Sequence, residues 1–416
     1  MKNLNIKDLA IRNLKVIENY FFMTALQIIS SLFGILIYPY LIRVLGAGSY
    51  GLYVFSSSIA NYFIGFISFG FSFPSVRAIA ENKNNQQVKS KVISSILTAK
   101  VYLALISTFI FIILLFSIQF MRENKLIITI CYSQIIGEVL FPQWYFQGIQ
   151  KMKIITYIQL AIRLLSLPII FIFIKSSNDC WIYALTSTLS IIFCGILSII
   201  YIQKLENIPI RFVSITSLKS YFTDAMPFFW SSAVGTIKQE SVTVIIGSFF
   251  GMRDVALYDL ANKLIIIPRL LTTSINGALF PKIIEHVDKF VVKRIIRYET
   301  FIGICIIVCI ILFGHYVILL LGGVPMLDSY PMAIILSVTI LVWLVVGSYI
   351  SFIFVPSNHY YLVTQNQLVA FFSFFLFCIP SIFIFHNILS VVIALTLSGL
   401  CEMGFCNYQM KKRNLL

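Results

Sequence analysis

Acidic and charged residues are scarce in this chain. Of 416 residues only 16 are Asp or Glu and four are His, and charged residues of all kinds make up 11%, less than half the share of about 25% found in soluble domains. Water is thereby excluded as the solvent for most of the chain. With 59% hydrophobic residues and a mean hydropathy of +0.93, the composition is that of a polytopic membrane protein. No Gly-Lys dipeptide occurs, which removes the P-loop, and no His-Glu-x-x-His occurs, which removes the zinc-protease pattern. The eight cysteines include no Cys-x-x-Cys pair and fall largely in apolar runs, Cys305 and Cys309 one helical turn apart, so they read as small apolar filler. Residues 1–19 carry too many charges for a cleavable signal peptide and are expected to lie along the cytoplasmic interface. Strict alternation is missing as well: runs such as LISTFIFIILLF are apolar on every face, which argues against a β-barrel.

What is abundant is long apolar sequence. Twelve runs near the length that crosses about 30 Å of hydrocarbon are expected as helices at 20–42, 50–73, 93–117, 126–147, 154–174, 180–202, 225–249, 255–280, 299–321, 329–355, 362–384 and 387–408. Positive residues set the orientation. The N-terminus, the even-numbered connections and the C-terminal tail hold 21 Lys and Arg, whereas the other side holds five: Arg43, Arg122, Lys125, Lys175 and Arg253. Both termini are therefore expected in the cytoplasm. The net charge of +15 reads as this topology signal facing anionic membrane lipid, not as a nucleic-acid surface.

The polar stretch 203–224 divides the runs six and six, giving an N-terminal lobe at 1–202 and a C-terminal lobe at 225–416. An internal repeat supports that division. LGAGSYGLY from Leu45 aligns with FGMRDVALY from Phe250, matching Gly46 with Gly251 and Tyr53 with Tyr258; Phe73-Pro74 answers Phe280-Pro281, and LFPQWYFQ around Pro142 answers FVPSNHYY around Pro356. Because six helices separate the halves, they share one orientation. The expected fold is thus all-α, twelve transmembrane helices in two six-helix lobes around a central cavity, related by a parallel pseudo-two-fold repeat.

Nine charges fall inside the expected spans: Lys100, Glu138, Arg163, Lys238, Glu240, Asp259, Lys263, Arg269 and Glu402. Each costs about 2.5–3.5 kcal/mol to insert, so such residues face a wet interior or one another. On a helical wheel Asp259, Lys263 and Thr273 share a side that Asn262, Arg269 and Asn276 extend, while Ser231, Gly235 and Lys238 share a face of the seventh run. The pair Asp259 and Lys263, one helical turn apart, is read either as cavity lining or as a pair neutralising itself. Five cations against four carboxylates favour an anionic substrate, phosphate above all. Trp144 and Tyr145 in PQWYFQ read as belt residues or as a stacking platform for sugar rings.

Three stretches, LIYPYLIRVLGAGSYGLYVFSSSIANYF from Leu36, FPQWYFQGIQKMKIITYIQLAIRLL from Phe141 and VIIGSFFGMRDVALYDLANKLIIIPRLLTTSINGALFPKI from Val244, resemble the polysaccharide-transport branch of the multidrug/oligosaccharidyl-lipid/polysaccharide exporter superfamily, in particular its Wzx-type O-antigen flippases. The resemblance spans all twelve runs. It implies a Gram-negative inner-membrane protein that moves an undecaprenyl-pyrophosphate-linked sugar repeat unit to the periplasmic leaflet by alternating access, working with other O-antigen assembly proteins and drawing on H⁺ or Na⁺ as the coupling ion, with no organic cofactor and no metal. It further implies that basic cavity residues hold the pyrophosphate, with Lys238, Lys263, Arg269, Arg163 and Arg43 as candidates, and Glu138, Glu240, Asp259 and Glu402 as candidate coupling carboxylates. An O-antigen polymerase or ligase is the alternative enzyme class, disfavoured because no periplasmic connection is long enough to carry a glycosyl-transfer site. A drug or cation exporter of the same superfamily is disfavoured by the cationic excess.

Overall fold

The computed structural model describes residues 6–285, 289–357, 359–413 and 415; the side chains of residues 6–17, 19, 20, 267, 270–285, 289 and 360 fall outside that description. The described chain is all-helical, as a backbone in lipid must be when no water is present to satisfy its polar groups. Among the described residues, nine helices are long and apolar enough to cross a membrane. That number is not twelve, for identifiable reasons. Two of the expected spans merge in α1 (Ile6–Ser68), which is interrupted only at Gly46. The helix α10 (Lys219–Phe249) carries Lys238, Gln239 and Glu240 at its middle, which depress its hydropathy. Much of α11 (Met252–Glu285) lies where side chains are not described. The expected interfacial segment 1–19 also loses its independence: from Ile6 onward its helix runs into the first span without a break.

The chain separates into two compact units, Met1–Phe33 with Ser56–Thr236, and Gly34–Phe55 with Ile237–Leu416. Their limits differ from the lobes expected at 1–202 and 225–416, because residues 34–55 pack with the C-terminal helices and residues 203–236 with the N-terminal ones.

The first unit contains α2 (Ser72–Glu81), α3 (Gln86–Ser117), α4 (Gln119–Glu123), α5 (Lys125–Tyr132), α6 (Gln134–Leu140), α7 (Gln143–Gly148), α8 (Met152–Phe173) and α9 (Cys180–Lys204). The expected single helix 126–147 is therefore three pieces. Pro142 has no N–H to donate and drives Phe141 out of the helical region, to φ −99°, ψ 95°. Phe73 and Pro74, expected to close the second span, instead sit in the first turn of α2, where a proline's missing donor costs nothing. Pro281 lies inside α11, so the two Phe-Pro pairs do not mark equivalent helix ends. α9 packs against α5, α6 and α8. The connection from α8 to α9 is pinned by Asp179, whose Oδ2 accepts from the Lys175 amide at 2.9 Å, the Ser176 amide at 2.8 Å and the Ser176 hydroxyl at 3.0 Å. Those hydrogen bonds, the Lys175 amide first, hold its carboxyl below the usual carboxylate range.

In the second unit, α12 (Lys289–Gly322), α13 (Ser329–Tyr349, continuing as a π turn over Ile350–Phe354), α14 (Tyr360–Phe385) and α15 (Ile388–Lys412) join α11 and residues 34–55. α13 is the central element, packed against α11, α12 and α15. Large aliphatic and aromatic side chains on α12, such as Phe301, Leu312 and Leu320, are exposed because lipid, not water, covers them. The matched glycines Gly46 and Gly251 both have positive φ, 75° and 111°, so the repeat read from sequence coincides with two breaks that require glycine. They also lie close in space: a Cβ added to Gly51 would stand 1.7 Å from the carbonyl oxygen of Met252.

Candidate functional site

In the second unit, α10 presents Lys238, α15 presents Glu402 and α11 presents Arg269. The Lys238 ammonium is 3.9 Å from Glu402 Oε2, and the Glu402 carboxylate is fixed from its other side by the Asn366 amide, which donates to Oε1 at 2.7 Å. Asn366 is itself held by the Cys406 thiol at 3.2 Å from its Oδ1. Arg269 is within electrostatic reach of both Lys238 and Glu402, and its guanidinium lies 4.2 Å from the centre of the Trp343 ring, close enough for a cation–π contact. Lys238 and Arg269 thus gather around Glu402.

One turn apart on α11, Lys263 and Asp259 form an ion pair. The Lys263 ammonium also donates to the Tyr50 hydroxyl at 3.0 Å, and Tyr50 donates to Asp259 Oδ2 at 2.8 Å. Lys263 is therefore enclosed by partners, which favours the self-neutralising reading over the cavity-lining one. Glu240, two residues beyond Lys238 on α10, lies within electrostatic reach of Tyr258, as Arg269 does. Thr273 and Asn276, expected to extend the polar side of α11, have side chains outside the described residues.

The other candidates go elsewhere. Arg43 is exposed and its guanidinium donates to the carbonyl oxygen of Leu320 at 3.1 Å, capping the C-terminal end of α12. In the first unit, Arg163 donates to the carbonyl oxygen of Ser30 at 3.3 Å and lies 5.4 Å from the ring centre of Phe33. Also there, Glu138 accepts from the buried Lys100 ammonium at 2.6 Å. The sugar-stacking role of Trp144 and Tyr145 is not supported: the two are 4% and 0% exposed and belong to the first unit's apolar core. A helix as short as α7 contributes its aromatic rings to packing because it has little other apolar surface to offer. Sequence reasoning passed over Tyr38, Tyr50, Trp343 and Asn366, and it placed Glu299 at a span boundary although that residue is buried and accepts from Ser348.

Comparison with solved structures gives the same architecture. A lipid II flippase, MurJ, in an inward closed conformation superposes with a TM-score of 0.78 at 14% identity, covering 94% of this chain and 87% of that one. An inward-facing multidrug resistance MATE transporter of the MOP superfamily gives 0.67 at 15% identity, covering 92% and 95%. Among curated proteins, one of Escherichia coli (strain K12) named "Putative O-antigen transporter" is 23% identical over 77% of this chain and 75% of its own. The capsular polysaccharide biosynthesis protein CapF of Staphylococcus aureus is 22% identical over 92% and 96%. The family described as "Polysaccharide biosynthesis protein" matches residues 16–287. With that match running through most of the helices just described, this multi-pass membrane chain belongs to the polysaccharide biosynthesis protein family.

Proposed function

We infer that the protein transfers undecaprenyl-pyrophosphate-linked O-antigen repeat units from the cytoplasmic to the periplasmic leaflet of a Gram-negative inner membrane. Transfer proceeds by alternating access between an N-terminal and a C-terminal lobe, with both termini cytoplasmic. The single observation that carries this reading is the cluster of Lys238, Arg269 and Glu402, two cationic side chains brought together among apolar helices. Cationic side chains within lipid mark substrate paths, and pyrophosphate suits this pair: Arg269 offers a planar fork and Lys238 a point charge to its oxygens. The names of the relatives supply the cargo class, since they speak of O-antigen transport and of capsular polysaccharide, and MurJ is named a lipid II flippase. Glu402, between the two cations, is the carboxylate assigned to H⁺ or Na⁺ coupling.

Deletion of the gene followed by complementation tests the reading. Wild type should restore surface O-antigen, whereas Arg269→Ala and Lys238→Ala should restore far less at unchanged protein level, since alanine lowers the cost of insertion. Full restoration by both variants refutes pyrophosphate binding at this cluster.

A further inference from the structure

The surroundings of Lys263 hold more than a helical ion pair requires. Tyr38 precedes the Gly46 break in α1 and Tyr50 follows it, so the two rings come from different helical segments, while Asp259 and Lys263 occupy consecutive turns of α11. The ammonium lies 5.2 Å from the ring centre of Tyr38 and 5.5 Å from that of Tyr50. The two rings meet edge to face at 5.2 Å and 89°. Tyr50 couples the parts: its hydroxyl accepts from Lys263 and donates to the Asp259 oxygen that pairs with the same ammonium. Tyr38 and Tyr50 are 0% and 3% exposed, and the Tyr38 hydroxyl has no hydrogen-bond partner among the described residues. An apolar phenylalanine would fill the space without that unpaired hydroxyl, so neutralising Asp259 does not explain Tyr38.

An aromatic ring, a carboxylate and a hydroxyl oxygen are partners by which proteins bind free ammonium ions. The geometry points to a monovalent-cation site built from Asp259, Tyr38 and Tyr50, in which Lys263 is a tethered ammonium ligand; with the tether removed, the site takes a small primary alkylammonium ion. Two consequences follow for the native protein. Asp259 is closed to a solution cation while Lys263 is seated, which removes it from the candidate coupling carboxylates. The positive charge of Lys263 is likewise occupied, which removes it from the anion contacts. Neither consequence depends on the identity of the cargo.

Chemical rescue tests the inference on purified full-length protein. Lys263→Ala should unfold at lower temperature than wild type, and ethylammonium chloride should raise its midpoint along a saturable curve, as expected for a ligand that binds only the folded state. Potassium chloride at the same concentrations and tetraethylammonium, too large for the cage, should not. Wild type, whose site is filled, should not respond, and Lys263→Ala combined with Asp259→Asn should lose the response. An equal shift in wild type, an equal shift in the double variant, or no ammonium-specific shift overturns the proposal. If Lys263→Ala fails to accumulate in membranes, ethylamine in the growth medium should restore its level and leave the double variant unchanged; failure to restore it also overturns the proposal.

Discussion

Replacing Gly51 by alanine adds one methyl group at the tightest point between the helix that follows Gly46 and the start of α11. The added Cβ would lie 1.7 Å from the Met252 carbonyl oxygen and 2.7 Å from its carbonyl carbon, where ordinary contact begins at 3.4 Å. The obstructing atoms are backbone, so a rotamer change cannot relieve the overlap and the helices must separate. Overpacking of this kind costs typically about 1–3 kcal/mol and more when backbone must move, against a helix-propensity gain of up to about 1 kcal/mol for Gly→Ala. A net loss of about 2 kcal/mol follows from taking the upper end of the first range. Gly48, three residues earlier in the same helix, is the internal control, because nothing stands within 4 Å of its added Cβ. There the propensity gain acts alone. At about 2.1 cal/mol/K per residue over 416 residues, the two opposite effects separate the unfolding midpoints of Gly51→Ala and Gly48→Ala by about 3 °C. Thermal unfolding in detergent measures both. Equal midpoints, or a higher one for Gly51→Ala, refute the close approach.

Asp179 should titrate below the ordinary Asp value of about 3.9, because amide and hydroxyl donors favour its charged form. A depressed carboxylate stabilises its loop above the unfolded pKa and loses that contribution as pH falls through the folded one, so the loop should hold until strongly acid pH. The Ser176 amide proton shift reports the titration, and a midpoint at or above the ordinary value contradicts the bonding described. Lys100→Met alone leaves the Glu138 carboxylate unpaired and should cost about 3–5 kcal/mol, while Lys100→Met with Glu138→Gln should recover most of it; equal unfolding midpoints for the two would show that the pair is not coupled. Reporter fusions after Lys91, Lys153, Lys219 and Arg297 should read cytoplasmic, and fusions near Arg122, Asn178 and Met252 periplasmic; a single reversed pair breaks the proposed orientation.

The helical architecture is legible in the sequence because lipid imposes length and apolarity together, and both survive local irregularity. The breaks are legible where a residue type forces them. Pro142 announces the interruption before α7, and aligning Gly46 with Gly251 anticipates two positive-φ positions. Partnership between distant residues is not legible. Tyr38 and Tyr50 are two of 21 tyrosines, and Tyr50 meets a lysine 213 positions away, so no local spacing could single them out. Trp144 and Tyr145 show the converse, a conspicuous motif whose rings are taken up by core packing. Charge inside a span was a good guide to position but a poor guide to availability, since Lys100 and Lys263 are both matched by a carboxylate.

The break at Gly46 has a mechanical meaning. Sixty-three helical residues would reach about 95 Å if straight, three times the hydrocarbon thickness, so a bend is obligatory, and here it occupies a single residue. A loop of several residues would act as slack rope, letting one rod turn while the next stays still. One glycine is a pin joint, with only its own two torsions to absorb a tilt. Tyr38 and Tyr50 grip α11 from either arm of that joint through Lys263 and Asp259. A tilt at that joint therefore bears directly on the two rings that hold Lys263.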